Sequence, residues 1–194
     1  MIVTLIRHAE TEGNLKRLFV GRIDQPLAEE GIRNAENSPH YPIVSKVYTS
    51  NLKRTIQTAQ ILFPNAEIEE ISDLREIDFG EIEGMSHDEL MADPKYSKLF
   101  DKKSFPQAPG GENLEVFTNR CVEAFRRIIA EEKEVASKDV YFVLHGGTIM
   151  TLLHELATPQ RDFFDWRVNN CKGFRLEIEH NAKGDVSLIF VSEV

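Results

Sequence analysis

Two arginines and two histidines stand just after short apolar runs, where an anion could be held and transferred. Arg7-His8 closes the run Ile2-Val3-Thr4-Leu5-Ile6, and His145-Gly146-Gly147 closes Val140-Tyr141-Phe142-Val143-Leu144. Arg54 follows Tyr48-Thr49-Ser50 by one turn of a helical segment. A helix N-terminus already presents unpaired N–H groups and a partial positive charge, so an arginine there is unfavourable by itself. Alone, Arg54 reads as a solvated surface residue; an anion between it and the strand ends gives it a purpose. Gathered at one edge, Arg7, Arg54, His8 and His145 would make a compact cationic pocket. Guanidinium forks match phosphate oxygens two at a time. Neighbouring cations also lower an imidazole pKa, which keeps His8 unprotonated and nucleophilic near neutral pH. The set suits a phosphoryl group. It suits a divalent metal badly, because a zinc site needs close neutral or anionic ligands without competing cations. No metal and no cofactor is called for.

The elements that must position these residues can be read from periodicity. Strands are expected over 2–7, 46–49, 67–71, 139–144, 174–179 and 186–192, and helices near 28–37, 51–63, 113–134 and 148–157. Leu52, Ile56, Ala59 and Phe63 make one apolar helical stripe, as do Phe117, Cys121, Ala124 and Ile128, and again Ile149, Leu152, Leu153 and Leu156. Alternating strands and helices imply an α/β fold, a three-layer α/β/α sandwich whose mostly parallel sheet is covered on both faces. The last two strands, joined across Lys183-Gly184, should form an antiparallel hairpin at one edge. No linker forces a boundary, so residues 1–194 are expected to form a single domain. In such sheets ligands bind beyond the carboxyl ends of the strands, where the cationic residues lie. The stretch 80–112, with Pro94, Pro106 and Pro109, reads as irregular cover over that site.

The segment Leu5-Ile6-Arg7-His8-Ala9-Glu10-Thr11-Glu12-Gly13-Asn14 resembles the signature of the histidine phosphatase superfamily, which includes the cofactor-dependent phosphoglycerate mutases. The similarity continues through Gly21-Arg22-Ile23-Asp24-Gln25-Pro26-Leu27, Gly31 and Tyr48-Thr49-Ser50-Asn51-Leu52-Lys53-Arg54-Thr55. It resumes at Leu74-Arg75-Glu76-Ile77-Asp78-Phe79-Gly80, Glu83-Gly84, Gly110-Gly111-Glu112 and His145-Gly146-Gly147, in the family's order. The resemblance implies a phosphomonoesterase acting on a small phosphorylated metabolite, with His8 becoming phosphohistidine. By it Arg7, Asn14, Arg54 and His145 would hold the phosphoryl oxygens, with the Gly146 backbone and Gly21 beside them. Glu76 would protonate the leaving oxygen and then activate water. Without the motif, Glu76 reads as a surface carboxylate paired with Arg75. Three positions depart from the pattern. Ala9 replaces a glycine common in the mutase branch, Ala28 a helix-capping threonine, and Met150 an arginine found in many relatives.

The remaining sequence mostly excludes. A formal charge of -9 argues against general affinity for nucleic acid or an anionic membrane. The opening apolar run is too short for a signal peptide or a span. Cys121 and Cys171 are far apart and read as buried thiols, so a cytoplasmic setting is expected. His40, His87, His154 and His180 fall outside the motifs and are assigned no role. Gly84-Met85-Ser86-His87-Asp88 only faintly resembles a nucleophile elbow, with no strand before it. A mutase and a non-catalytic phospho-ligand binder are the competing readings. Against the mutase stand the short cover over the site and its Glu81, Glu83, Asp88 and Glu89, which should repel a polyanion, whereas Lys102-Lys103 could attract one. A homodimer is one assembly the sequence allows.

Overall fold

Along the central strands, side chains alternate between two buried faces. Val3, Leu5, Tyr48, Val140, Phe142 and Leu144 point to one side, and Ile6, Val47, Tyr141 and Val143 to the other. Such a pattern needs helices on both faces, and the computed structural model has them. It describes residues 1–39, 41–100, 105–180 and 185–194. Seven strands, β1 (Ile2–Arg7), β2 (Lys46–Thr49), β3 (Glu67–Glu70), β4 (Asp139–Leu144), β5 (Ala157–Thr158), β6 (Gly173–His180) and β7 (Val186–Glu193), form one mixed sheet. Their order is β3-β2-β4-β1-β6-β7-β5. β1 through β4 are mutually parallel, while β6 runs antiparallel to β1 and β7.

The helices are α1 (Glu12–Leu15), α2 (Glu29–Glu36), α3 (Lys53–Leu62), α4 (His87–Ala92), α5 (Leu114–Glu134) and α6 (Gly146–Leu156). On one face α5 and α6 contribute Phe117, Cys121, Phe125, Ile128, Ile149 and Leu152 to the larger core. On the other, α3 adds Ala59 and Leu62, and α2 packs on α3. Each fully buried large side chain contributes roughly 1.5–3 kcal/mol. The three layers are those expected, and both cysteines are buried and unpaired.

Three expectations need correction. The β6–β7 hairpin is not quite at the edge, because Ala157-Thr158 pairs with Leu188-Ile189 and adds a two-residue strand outside it. The stretch 80–112 is not irregular throughout: Gly80–Ile82 forms a 3-10 turn, and α4 follows with a capping box between Ser86 and Glu89. The acidic residues of that stretch are also committed locally. Glu83 accepts from the N–H groups of Arg22, Ile23 and Phe79, Glu89 caps α4, and Glu81 pairs with Lys95 at 2.5 Å. Ser86 is thus a cap and not a nucleophile. Lys102-Lys103, the Lys183-Gly184 turn and His40 lie outside the described residues.

Candidate active site

β2, β4 and β1 are neighbours and parallel, so their carboxyl ends share one edge of the sheet. Arg7 is opposite Leu144 in the register, and the next residue, His8, donates its backbone N–H to the Leu144 carbonyl at 2.9 Å. That one pairing sets the first histidine beside the second. Their ring centroids are 5.2 Å apart.

His8 is 4% exposed. Its Nδ1 lies 2.6 Å from the Ala9 carbonyl, which can only accept, so Nδ1 carries the proton and the Nε2 lone pair is free. Burial, then Arg54 and Arg7, push the His8 pKa well below its ordinary value. The ring is a neutral imidazole with its nucleophilic nitrogen defined. Asn170 Nδ2 donates to the His8 carbonyl at 2.8 Å and fixes the chain behind it.

His145 caps α6 and is fully buried. Its Nδ1 accepts from Arg54 Nε at 3.1 Å, which leaves Nε2–H to donate to Ser50 Oγ at 2.7 Å. Ser50 Oγ in turn lies 2.9 Å from Thr55 Oγ1. Both ring nitrogens are therefore used within the protein, and the ring orients Arg54. Burial and the same arginines hold the His145 pKa well below its ordinary value.

Arg54, the second residue of α3, is completely buried. It donates to the Gly21 carbonyl at 2.8 Å and the Ile23 carbonyl at 2.9 Å, and no carboxylate lies within ion-pair distance among the described residues. Burial lowers its pKa, yet a guanidinium remains a cation. Arg7 donates Nη1 to the Val168 carbonyl at 2.8 Å, while its buried Nε has no acceptor. Neither guanidinium has an ion-pair partner among the described residues, and with Glu76 the foremost carboxylate acting on both, they form a site suited to added negative charge. Gly146 beside Arg7 opens α6, where backbone N–H groups lack intrahelical acceptors.

Glu76 lies across the cleft. Its Oε2 accepts from Gly147 N at 2.8 Å and its Oε1 from Ile77 N at 3.1 Å. A Cβ on Gly147 would collide with this carboxyl group, so only glycine lets the backbone meet it. Burial raises the Glu76 pKa against the opposing pull of those two N–H groups and the two arginines. That direction suits a proton donor. Glu76 makes no ion pair with Arg75. Instead Arg120 holds its segment: bidentate to Glu112 at 2.7 and 2.8 Å, it donates to the carbonyls of Asp73, Arg75 and Glu76.

Asn14 Oδ1 accepts from Thr11 N at 3.1 Å in a capping box on α1, leaving its amide N–H groups for the cleft. Arg7, Asn14, Glu76, Gly146 and Met150 line a cleft of about 270 Å³. His8 and His145 adjoin the lining residues Arg7 and Gly146 in the chain, and Arg54 donates to His145. Gly21 does not line the cleft either; its carbonyl receives Arg54, and a side chain there would strike the Ile77 carbonyl. Sequence reasoning missed Arg120 and Asn170, whose roles depend on backbone carbonyls from distant segments. Glu112 was the available signal for Arg120. Among the described residues, no group of three or more His, Cys, Asp or Glu side chains could hold a metal ion. No described helix is long and apolar enough to cross a membrane.

Residues 3–188 match the family described as histidine phosphatase superfamily (branch 1). The chain is 31% identical over 175 residues to the phosphatase PhoE of Bacillus subtilis, covering 87% of this chain and 84% of that one. It is 32% identical over 167 residues to phosphoglycerate mutase-like protein 4 of Arabidopsis thaliana, covering 81% and 71%. A crystal structure of a putative alpha-ribazole-5'-P phosphatase from Escherichia coli aligns with a TM-score of 0.79 at 25% identity, over 99% of this chain and 96% of the other. With the paired histidines, the buried arginines and the family match extending over nearly its whole length, this chain belongs to branch 1 of the histidine phosphatase superfamily.

Proposed function

We propose that this phosphatase hydrolyses a small phosphorylated metabolite through a phosphohistidine on His8. The observation that carries the reading is a neutral imidazole with Nε2 free, next to an Arg7 Nε that is buried without an acceptor. In the first step Nε2 attacks phosphorus as the bond to the leaving oxygen breaks, and Glu76 supplies that oxygen's proton. Arg7, Arg54 and the Asn14 amide hold the non-bridging oxygens as charge builds on them. In the second, water attacks phosphorus, Glu76 takes its proton, and the P–N bond to His8 breaks. His145 acts by orienting Arg54. The unit is the whole chain, 1–194, as one domain, supported by the match over 3–188. A cytoplasmic setting is supported by the two buried free thiols.

A brief incubation with substrate should leave a phosphoenzyme that is acid-labile and base-stable, and His8→Ala should lack it. A phosphoenzyme persisting in that variant would overturn the assignment. A relative named as mutase-like favours transfer to a second sugar acid instead. In a coupled assay with 2,3-bisphosphoglycerate, phosphate release should exceed mutase turnover; the reverse would establish the mutase.

A further inference from the structure

Arg54 is the one lysine or arginine that is fully buried among the described residues, and no carboxylate lies within ion-pair distance of it. A guanidinium taken out of water needs its charge offset. The carbonyls of Gly21 and Ile23, at 2.8 and 2.9 Å, and His145 Nδ1, at 3.1 Å, supply its hydrogen-bond acceptors. Glu76, Asp24 and Glu83 act on it from further away. Of these, Glu76 lines the cleft, where it is the proton donor. Asp24 is paired with Lys53, accepting from its backbone N–H at 2.8 Å and lying 3.7 Å from its Nζ. Glu83 has no lysine or arginine nitrogen within ion-pair distance among the described residues.

Glu83 grips the loop that holds Arg54. Its Oε1 accepts from Arg22 N at 2.5 Å and from Phe79 N at 3.2 Å, and its Oε2 accepts from Ile23 N at 2.9 Å. The Arg22 N–H and the Gly21 carbonyl belong to one peptide unit, which is planar and trans, so they point in opposite directions. A buried cation and a half-buried carboxylate therefore stand on opposite sides of that unit, joined through it by two hydrogen bonds. The backbone delivers Glu83 to this place. Gly84 N donates to the Phe19 carbonyl at 2.8 Å, and Phe19 N to the Met85 carbonyl at 2.9 Å. A Cβ on Gly21 would come within 2.5 Å of Glu83 Oε1, so glycine there lets the carboxylate close on the loop.

We propose that Glu83 is a positioning residue for Arg54, acting through the Gly21–Arg22 peptide unit. Its carboxylate turns and polarises the carbonyl that holds the guanidinium, so the fork is fixed and its charge supported from behind. Hydrogen bonds in such a chain polarise one another, which strengthens each. A carboxylate bonded to Arg54 directly would neutralise it and compete with the phosphoryl group for its N–H donors. Set one peptide away, Glu83 supports the cation and leaves the site positive. The inference rests on the cleft's being the phosphomonoesterase site, with Arg54 holding a phosphoryl oxygen.

The test is Glu83→Gln, which keeps the size and removes the charge and one acceptor. With p-nitrophenyl phosphate, kcat/KM should fall about tenfold, the scale on which a charge-assisted hydrogen bond exceeds a neutral one. Inhibition by vanadate should weaken by the same factor. A Glu83 that only closes its turn would lower Tm and leave vanadate affinity unchanged, and that result would overturn the proposal. In an Arg54→Lys background the same substitution should add less than about twofold, because the fork it acts on is gone. Equal losses in the two backgrounds would also sink it. A second arm needs neither turnover nor a folded Arg54 variant. In ¹⁵N-labelled protein the Arg54 Nε–H, buried against His145, should exchange with solvent about tenfold faster in Glu83→Gln, with the amides of β1 and β4 unchanged. Unchanged exchange at Arg54, or faster exchange in those strands as well, would make Glu83 a structural residue. If the parent protein hydrolyses no phosphomonoester yet the exchange result holds, the catalytic reading fails and the link from Glu83 to Arg54 stands.

Discussion

Glu76 has the most demanding position of any residue in the site. It is buried, its pKa is raised by that burial, and each carboxyl oxygen receives one backbone N–H. Glu76→Gln keeps the shape and removes the transferable proton. The expected cost is about 10²–10⁴-fold for alkyl phosphates. With p-nitrophenyl phosphate, whose leaving group needs little protonation, phosphorylation of His8 should suffer much less. Measuring that step by rapid quench with both substrates decides the matter, because equal losses would make Glu76 a structural carboxylate. At this scale the sequence was legible in which residues it brings together, as for His8, Glu76 and the two arginines, whose motifs meet at one edge of the sheet. It was not legible where a role lies in a backbone contact. Gly21 reads as a phosphate ligand until its carbonyl is seen holding Arg54, and Arg120 draws no notice until it is seen tying Glu112 to three carbonyls. His145 belongs to the same class, since its two hydrogen bonds, to Arg54 and Ser50, determine what it can offer.

Among the elements, α2, like α3 and α6, has no side-chain hydrogen bond at its N-cap. Its N-cap, Ala28, is extended with φ -72° and ψ 158°, the usual cap conformation, but has no side-chain acceptor. Thr11, Ser86 and Asn113 supply one for α1, α4 and α5. Glu29 and Glu30 in the first turn of α2 offset the helix dipole in part. Ala28→Ser should therefore stabilise the protein by about 1 kcal/mol. Calorimetry should show that as a rise of roughly 2–4 °C in Tm. No rise, or a fall, would mean that the buried setting of Ala28 leaves no room for the hydroxyl. The same scale shows what periodicity can and cannot reveal. Strands with two buried faces and helices with long apolar stripes were placed to within a few residues. α4, six residues long, and β5, only two, are shorter than one repeat of any pattern that could announce them. Their absence from the reading is what moved the hairpin to the edge and made 80–112 look irregular.

For the molecule as a whole, burying two imidazoles as neutral rings couples stability to pH. His8 and His145 both have folded pKa values well below 6.5, so as pH falls through 6.5 the unfolded chain takes up protons that the folded chain refuses. Their contribution is complete above that pH and is lost below it, by up to about 1.4 kcal/mol per group per pH unit. Glu76 has the opposite sign: with its folded pKa above 4.5, its contribution is complete below 4.5 and disappears as pH rises through the folded value. Urea unfolding at pH 7 and pH 5.5 should thus differ by roughly 2 kcal/mol, the acid sample being weaker. Equal stabilities would mean that the histidines are not held neutral. The strand order also has a consequence for how the protein is made. β1, which ends at the nucleophile, is held between β4 and β6, whose residues are Asp139–Leu144 and Gly173–His180. β1 leaves the ribosome long before either neighbour, and until about residue 180 has emerged it presents an unpaired apolar edge. Pairings so distant in the chain make for slow folding. A nascent chain halted before β4 should have neither its central strand in place nor an active site, and should need protection from its own kind.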